Sequence, residues 1–471
     1  MPPMRGAIAF IIAGLSACGS VNADHPDAPL PDAPPDAAVD APLVDGAMRR
    51  PGDVVWVRSM SAAFGLGVAD GAGGLVFAGS ITAPADFGGG TMTPAGATDL
   101  VLGGFRPDDA SYVYQNRINK AGGGQVFGFL EMMDSVGNPL VYGVSYGDVD
   151  LGKGPVGGGN GADQTKADGY IGRYGPNVPG WVNRIVGVAE DKIIATAPAP
   201  SGEIYGAGWF EGTPTWNSAM LTSAGGRDLF ISRMNSFTGA VSKTSTFGGA
   251  GRDEISSIAG DGTNLIVGGF FDDQLAFGGT AQTLTGTAGN LDVYVAKLDA
   301  SLAGIWAVKF GGTGEDRGTQ VALDDAGDIY IAGSFHDQVA FGAVNLTAMG
   351  GGTTDIFVAK LRGSNGSVAW AIQLGTTGDD SASRILVDKG GHPFVVGSMN
   401  QDAVIASFEP GNGAMRWQKL VATTGTDGVF TASLGTTGDI YAVVNLGGTF
   451  DFGVPLIGPA APASVVLRLA P

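Results

Sequence analysis

The chain is poor in cysteine, histidine and charged residues. Among its 471 residues it has one cysteine and three histidines, and Asp, Glu, Lys and Arg together make up 15%. A single cysteine excludes an intrachain disulfide, and it excludes a zinc site built from several thiolates. Lys and Arg number 26 against 45 Asp and Glu, which gives a net charge of −19. That balance argues against a nucleic-acid partner, because phosphates require clustered cations.

Signals for catalysis are scarce. The sequence has no His-Glu-x-x-His pair and no Walker loop. His25 lies in a stretch without partners, and His336 and His392 fall in different repeat units, on opposite faces of the repeat fold. We therefore predict that the protein is not an enzyme, and we assign no catalytic residue.

Glycine is abundant, at 81 residues, together with 25 prolines. This density disfavours long helices and is typical of many tight turns between strands. The hydrophobic share of 44% is large enough to form a buried core. The composition therefore predicts an all-β body with short strands.

The N-terminus predicts an export signal over residues 1–17. Arg5 precedes an apolar run over 6–15, which is too short to span a bilayer. Residues 15–18, Leu-Ser-Ala-Cys, resemble the bacterial lipobox, in which the cysteine is lipidated and becomes the mature N-terminus. The alternative is a free thiol left after ordinary cleavage. The resemblance implies membrane attachment through Cys18, and the glycine that follows implies the outer membrane. The sequence leaves both its periplasmic side and its surface-exposed side as alternatives.

Residues 18–50 predict an extended tether. This stretch repeats Pro, Asp and Ala and contains almost nothing to bury. At about 3.1 Å per residue, some thirty residues in polyproline II form reach on the order of 100 Å. We expect the folded body, residues 51–471, to be held away from the membrane.

A strand-like heptapeptide recurs through the body, with a small residue at its fifth position in most copies. Consecutive copies are 61 to 65 residues apart, except for the last step of 47, where the sixth unit lacks a long loop. The copies are LVFAGSI (75–81), LVYGVSY (140–146), IYGAGWF (204–210), LIVGGFF (265–271), IYIAGSF (329–335), PFVVGSM (393–399) and IYAVVNL (440–446).

Four strand-like runs per step of about sixty residues are typical of a β-propeller. The hairpin VALDDAGDIYIAGSF (321–335), the strand DIFVAKL (355–361) and the return WAIQLG (370–375) resemble the bacterial seven-bladed β-propeller repeat family. The resemblance covers 51–471 and implies seven four-stranded antiparallel blades. Residues 53–60 match a fourth strand and the C-terminus ends on a third strand, so we predict that these two pair and close a monomeric ring.

Two rings of aspartates are predicted at the face that carries the long loops, opposite the tight turns and the tether. One ring precedes the third strands and comprises Asp99, Asp168, Asp228, Asp292, Asp355 and Asp402. The other lies at the crossings between blades and comprises Asp191, Asp253, Asp316, Asp380 and Asp427. One interpretation is structural, because Asp at the start of a strand caps backbone N–H groups. The other is a ligand or cation face.

Calcium is the cation that the second ring suggests. GGAGRD (248–253) and GGTGED (311–316) match the opening of a calcium-binding nonapeptide, but that site needs tandem copies nine residues apart. We therefore predict no metal and no cofactor.

A recurring tryptophan suggests a different cofactor. FEPGNGAMRW (408–417) resembles the tryptophan-docking strand of quinoprotein propellers, which implies a pyrroloquinoline cofactor and alcohol oxidation. The alternative is that the indole packs against the next blade. The position is occupied by Trp56, Trp181, Trp306, Trp370 and Trp417.

Two functions remain open from the sequence. The first is a non-enzymatic, lipid-anchored envelope protein that presents a binding or scaffold surface to a protein or glycan partner. The second is an extracytoplasmic enzyme that acts on polysaccharide through acidic residues at the channel mouth. Such an enzyme needs unmatched polar residues in an irregular blade, and the irregular stretches are 105–131 and 147–168.

Overall fold

The computed structural model describes residues 49–470 except 61–63, 72–73, 119–122, 135, 157–164, 176–178, 287–288 and 458–463. The predicted signal peptide, Cys18 and nearly all of the tether lie outside the described residues. The body is a β-propeller of seven blades, and each blade has four antiparallel strands in the order 1-2-3-4. The predicted fold class is therefore confirmed.

The blade strands follow the repeat. The first strands are Phe64–Gly71, Gln125–Met133, Asp191–Pro198, Asp253–Gly260, Arg317–Leu323, Asp380–Val387 and Gly428–Leu434. The second strands are Gly74–Ile81, Pro139–Tyr146, Glu203–Glu211, Leu265–Phe271, Ile329–His336, Pro393–Met399 and Ile440–Asn445. The third strands are Asp99–Phe105, Asp168–Tyr174, Arg227–Asn235, Asp292–Leu298, Thr354–Leu361, Asp402–Phe408 and Ser464–Leu469. The fourth strands are Tyr112–Ile118, Pro179–Val186, Val241–Phe247, Gly304–Gly312, Val368–Leu374, Met415–Val421 and Val54–Met60.

Short extra strands lie in the loops between second and third strands. They are Ala85–Asp86, Thr91–Met92, Val149–Asp150, Pro155–Val156, Thr215–Trp216, Ala219–Met220, Gln274–Leu275, Leu284–Thr285, Gln338–Phe341, Val344–Thr347 and Leu456–Ile457. The one helical turn of the described chain is a 3₁₀ turn at Pro200–Gly202. Among the described residues, no helix has the length and apolar character that crossing a membrane requires.

The ring closes as predicted, by pairing of the N-terminal and C-terminal strands. Val54–Met60 runs antiparallel to Ser464–Leu469, with Val57 opposite Leu467. The first strands of consecutive blades contact one another, so they form the innermost ring around the central channel. The apolar side chains are buried in layers between adjacent blades. One such layer joins Tyr205 of blade 3 to Tyr294 of blade 4.

In four blades a tryptophan of the fourth strand forms a hydrogen bond to the next blade. The indole Nε1 of Trp306 donates to the carbonyl of Gly363, and that of Trp370 donates to the carbonyl of Pro410, at 3.3 and 3.0 Å. Trp56 and Trp181 make the same bond to the blade that follows them, at 2.8 and 2.9 Å. The indoles therefore act as anchors between blades, as the packing alternative predicts.

In blade 7 the two chain ends together replace the turn between the third and fourth strands, which the other blades form from continuous chain. In blade 5, Gly366 has a φ of +71° and lies against Trp306, so that an added β-carbon would fall 2.8 Å from the ring. Gly52 has a φ of +84° and lies against Trp417 in the same way. Its N–H donates to the carbonyl of Ala470 at 3.0 Å. The terminal junction therefore reproduces the glycine contact of an ordinary turn between third and fourth strands.

Candidate functional site

The predicted aspartate rings lie at the loop side of the blades but are buried. Their members are between 0 and 3% exposed, except for Asp402, which is partly exposed. The rings therefore do not form an open acidic surface. The sequence indicates their position correctly but not their burial.

Aspartates of the second ring cap the crossings between blades. Four of the five accept the backbone N–H of the residue four positions earlier, as Asp253 does from Gly249 at 2.8 Å and Asp316 from Gly312 at 3.0 Å. The exception is Asp191, which accepts the N–H of Glu211 at 3.2 Å. The second oxygen of Asp380 accepts the N–H of Asn400 at 2.9 Å, at the end of the second strand. These hydrogen bonds are the ones that the capping interpretation predicts.

The recurring Gly-Gly pair is explained by the same geometry. A β-carbon added at Gly311 would lie 1.9 Å from Asp292 Oδ1, and one added at Gly248 would lie 2.2 Å from Asp228 Oδ1. The first glycine therefore makes room for a first-ring carboxyl, and the second glycine donates its N–H to a second-ring carboxyl. Across the described ranges, no group of three or more His, Cys, Asp or Glu side chains is arranged to hold a metal ion.

Burial changes the protonation of these acids. Desolvation is the main cause that raises the pKa of Asp191, Asp253 and Asp316 to about 8, and that of Asp380 to about 6. A neighbouring first-ring carboxyl raises the pKa of each further. Several second-ring acids therefore retain protons near neutral pH.

The first strands carry a β-bulge in every blade, and blade 2 is irregular. In six blades the bulge lies at the same position along the strand, opposite the fourth and fifth residues of the repeated heptapeptide. In blade 3, for example, the bulged residue is Ile194, between the pairs Ile193–Gly208 and Ala195–Ala207. In blade 2 it lies nearer the turn side, at Glu131. Bulges redirect a side chain, and here the displaced bulge directs Glu131 across the channel.

Side chains of blade 2 contact the adjacent blade 3 and also cross the channel to blades 6 and 7, which are not its neighbours. Glu131 Oε1 lies 2.7 Å from Arg384 Nη1 in blade 6, and Glu131 Oε2 accepts the N–H of Thr196 in blade 3 at 2.9 Å. The ring of Phe129 stacks on that of Phe430 in blade 7, with centroids 5.8 Å apart and planes within 9°. Side chains of blade 2 therefore bridge the channel at this depth.

The loop-side mouth of the channel is chemically uneven. The sixth residue of each repeated heptapeptide, on the second strand, pairs near this mouth with a residue of the first strand. These pairs contain a charged residue in blades 3 to 5, whereas in blades 6, 7 and 2 both residues are uncharged. The former pairs are Lys192–Trp209, Glu254–Phe270 and Arg317–Ser334. The latter are Ser381–Ser398, Gly428–Asn445 and Val126–Ser145.

Arg227 organises the charged half of the mouth. Its guanidinium lies 4.0 Å from the ring centre of Trp209. Its nitrogens contact the carboxylates of Glu190, Glu211 and Glu254 at 3.1, 2.7 and 2.5 Å. Three carboxylates already surround this cation, so the cluster is a satisfied network that stiffens the contact between blades 3 and 4.

The long loops are more ordered than the sequence suggests. The blade 3 loop forms a hairpin that pairs with the fourth strand of blade 2, and the blade 5 loop pairs likewise with blade 4. Each inserts a buried aromatic side chain, Trp216 or Phe341. What remains exposed on this side includes Val188, Met220 and Met349, at 83, 71 and 55%. The predicted recognition surface is therefore a set of docked hairpins.

Sequence reasoning missed several of these residues. Glu131 lies in the irregular stretch 105–131, where a channel-facing polar residue is expected, but nothing in the sequence indicates its partner Arg384. A Gly-x-Ser-x-Gly motif, which the prediction of no catalytic residue takes to be absent, occurs at 143–147. Ser145 lies inside a strand and is 1% exposed, so this motif does not form a nucleophile elbow.

Comparisons with solved structures find distant likenesses. The Dos1 propeller is 9% identical, with coverage of 89% of this chain and 95% of that chain and a TM-score of 0.44. The Pan2 WD40 domain of Neurospora crassa is 12% identical, with coverage of 90% and 96% and a TM-score of 0.45. BamB from Moraxella catarrhalis is 11% identical, with coverage of 88% and 99% and a TM-score of 0.37. No protein-family model matches this chain, and no curated protein does either. Likenesses this distant do not inform its function.

Proposed function

We propose that this chain is a non-enzymatic, lipid-anchored protein of the cell envelope whose propeller presents a binding or scaffold surface on its loop side. The observation that carries the proposal is the bridged channel, where Glu131 and Arg384 form an ion pair across the ring. The acids of the two rings support it further, because all of them except Asp402 are buried within the fold. The features left for a partner are those of the loop surface.

The surface around blade 3 fits such a role best. Val188 and Met220 are the two most exposed large apolar side chains of the described chain. Val186 pairs with Thr215, which pairs with Met220, so the hairpin brings Met220 beside the segment that leads to Val188. Apolar side chains beside a rigid Arg and Glu network match the composition of protein interfaces.

Site-specific photo-crosslinking in intact envelopes tests the proposal. A photoreactive amino acid at Met220 of the full chain is expected to yield a defined adduct with a protein or a glycan. The matched control is Phe237, which is 62% exposed in a turn on the opposite side. Adducts at Phe237 alone would move the surface to the turn side, and no adduct at either position would contradict a scaffold role.

A polysaccharide-acting enzyme is the second candidate, and the displaced bulge of blade 2 favours it. Glu131 is a carboxylate in the channel within an irregular blade, which is the feature that such an enzyme needs. Incubating the purified protein with a glycan panel tests this function. Turnover that is lost in Glu131→Gln would replace the scaffold proposal, and turnover that this change leaves intact would show an active site elsewhere.

The anchor is tested separately. Metabolic labelling with a fatty acid is expected to mark the wild-type chain, and the change Cys18→Ala is expected to abolish the label. Equal labelling of the two proteins would contradict lipidation at Cys18.

A further inference from the structure

The junction between blades 3 and 4 holds two buried carboxyls that are incompletely bonded. Asp228 is 3% exposed and Asp253 is 0% exposed. The Oδ2 atoms accept the N–H groups of Ala224 and Gly249, at 2.5 and 2.8 Å. The Oδ1 atom of each has no hydrogen-bond partner among the described residues. Two such buried atoms at one junction require a physical explanation.

Both carboxyls flank the same dipeptide. Gly248 lies against Asp228, since an added β-carbon would fall 2.2 Å from Oδ1. Gly249 donates its N–H to Asp253. The two acids therefore lie on either side of one short loop segment. Because both carboxyls are buried away from water, two negative charges there would repel each other strongly.

This junction differs from the next one in lacking a cation. In blade 4 the first-ring acid Asp292 is paired with Lys309 of the fourth strand, at 2.7 Å. Lys309 lies opposite Tyr294 in the sheet, and the corresponding residue of blade 3, opposite Phe230, is Thr246. The blade 3 carboxyl therefore has no equivalent counter-ion.

The other charges around the pair do not replace that cation. Asp272 and Asp273, at the end of the second strand of blade 4, place further negative charge near Asp253. Arg227 and Arg252 flank the two acids in the sequence, but both guanidinium groups are bonded to Glu254. Burial raises the pKa of Asp228, and it raises the pKa of Asp253 to about 8.

We propose that the Asp228–Asp253 pair holds a proton in the folded ring, so that the junction between blades 3 and 4 weakens as the medium becomes alkaline. This inference does not depend on the proposed function. It assigns to the Gly-Gly-x-Gly-x-Asp segment a carboxylic-acid pair in place of a calcium ion.

The direction of the effect follows from proton linkage. An aspartate in an unfolded chain has a pKa of about 4. Between pH 4 and pH 8 the pair therefore binds more protons in the folded chain than in the unfolded chain, and its contribution to the free energy of unfolding falls as the pH rises. Below pH 4 this contribution is fully present, and above pH 8 it is lost.

Supplying the missing cation tests the proposal. Thermal unfolding of the full chain is followed by circular dichroism from pH 5 to pH 9, for the wild type and for Thr246→Lys. The melting temperature of the wild type is expected to fall by a few degrees across this range. The fall is expected to be smaller in Thr246→Lys, because the new ammonium group stabilises the ionised Asp228. Ser245→Lys adds the same charge one residue earlier, on the other face of the strand, and is expected to keep the wild-type fall.

Three results would overturn the proposal. The first is an equal fall in Thr246→Lys and Ser245→Lys. The second is a rise in the melting temperature when calcium is added at pH 8.5, reversed by chelation, which would mean that a cation occupies the pair. The third result is spectroscopic and does not depend on the lysine variants. Infrared spectra are recorded at pH 7 with labelled aspartate carboxyls, for the wild type and for Asp253→Asn. The proposal is overturned if the wild type has no band of a protonated carboxylic acid, or if Asp253→Asn leaves that band unchanged.

Discussion

Blades 2 and 6 depart from the repeat in opposite ways. Blade 6 loses a whole loop and joins its second and third strands through Asn400 and Gln401, yet its first-strand bulge keeps the common depth. Blade 2 keeps its loop but displaces that bulge to Glu131, and its first strand then reaches blades 3, 6 and 7. A change at the periphery stays local. A change in the innermost strand, even of one residue, reaches blades on the far side of the ring, because every first strand borders the same channel.

Breaking the cross-channel pair should have the largest effect. Arg384→Met leaves the carboxylate of Glu131, which is 11% exposed, without its cation. Losing one partner of a largely buried ion pair costs about 3 kcal/mol in unfolding free energy, and urea denaturation measures it. The double variant Arg384→Met, Glu131→Met should recover most of this loss, since it leaves no unpaired charge. A single variant as stable as the wild type would show that the contact does not hold blades 2 and 6 together.

The tryptophans of the two blades should respond differently to removal of the indole N–H. Trp181 of blade 2 donates to the carbonyl of Ser236, whereas Nε1 of Trp417 in blade 6 is buried without a partner among the described residues. Trp181→Phe is therefore expected to cost about 1 kcal/mol more than Trp417→Phe. Equilibrium unfolding of the two variants measures the difference. Equal losses would mean that the hydrogen bond between blades contributes no stability of its own.

The smallest expected effect is a gain in the short turn of blade 6. Asn400 and Gln401 have φ values of +46° and +73°. Asparagine tolerates the left-handed region, but glutamine does not, so Gln401→Gly should stabilise the ring by up to about 1 kcal/mol. The melting temperature measures this gain, and Asn400→Gly, which relieves less strain, is the control. A loss of stability in Gln401→Gly would indicate that its side-chain bond to Thr426 outweighs the backbone strain.

The fold was predictable because the same pattern of strands and turns recurs in every repeat. Seven copies of one heptapeptide fix the number of blades, and the position of Trp56 relative to Trp306 identifies the displaced fourth strand. The cap at Asp316 was predictable for the same reason. Its burial was not, because it depends on the approach of Asp292 to Gly311 from a neighbouring strand, which the alternation of apolar residues does not indicate.

The channel contacts were the least predictable part. Glu131 and Arg384 are separated by 253 residues, and each occurs once at its register, so no repetition marks them. Their meeting depends on the depth of a bulge, which is a property of sheet geometry rather than of local composition. The candidate functional surface is hidden for a related reason, because the same loop sequence can extend into solvent or fold back on a neighbouring blade.

The hydrogen bonds that join Ala470 to Gly52 and to Asp53 have a consequence for how the molecule is made. Blade 7 takes one strand from each extreme of the folded body, so it stays incomplete on the ribosome until residues 464–469 have emerged. Contacts of such long sequence separation form slowly. A circular permutant could join residue 470 to residue 52 and open the chain at the turn that contains Gly366. It would keep all the strand pairings, but blade 5 rather than blade 7 would then be the blade completed last.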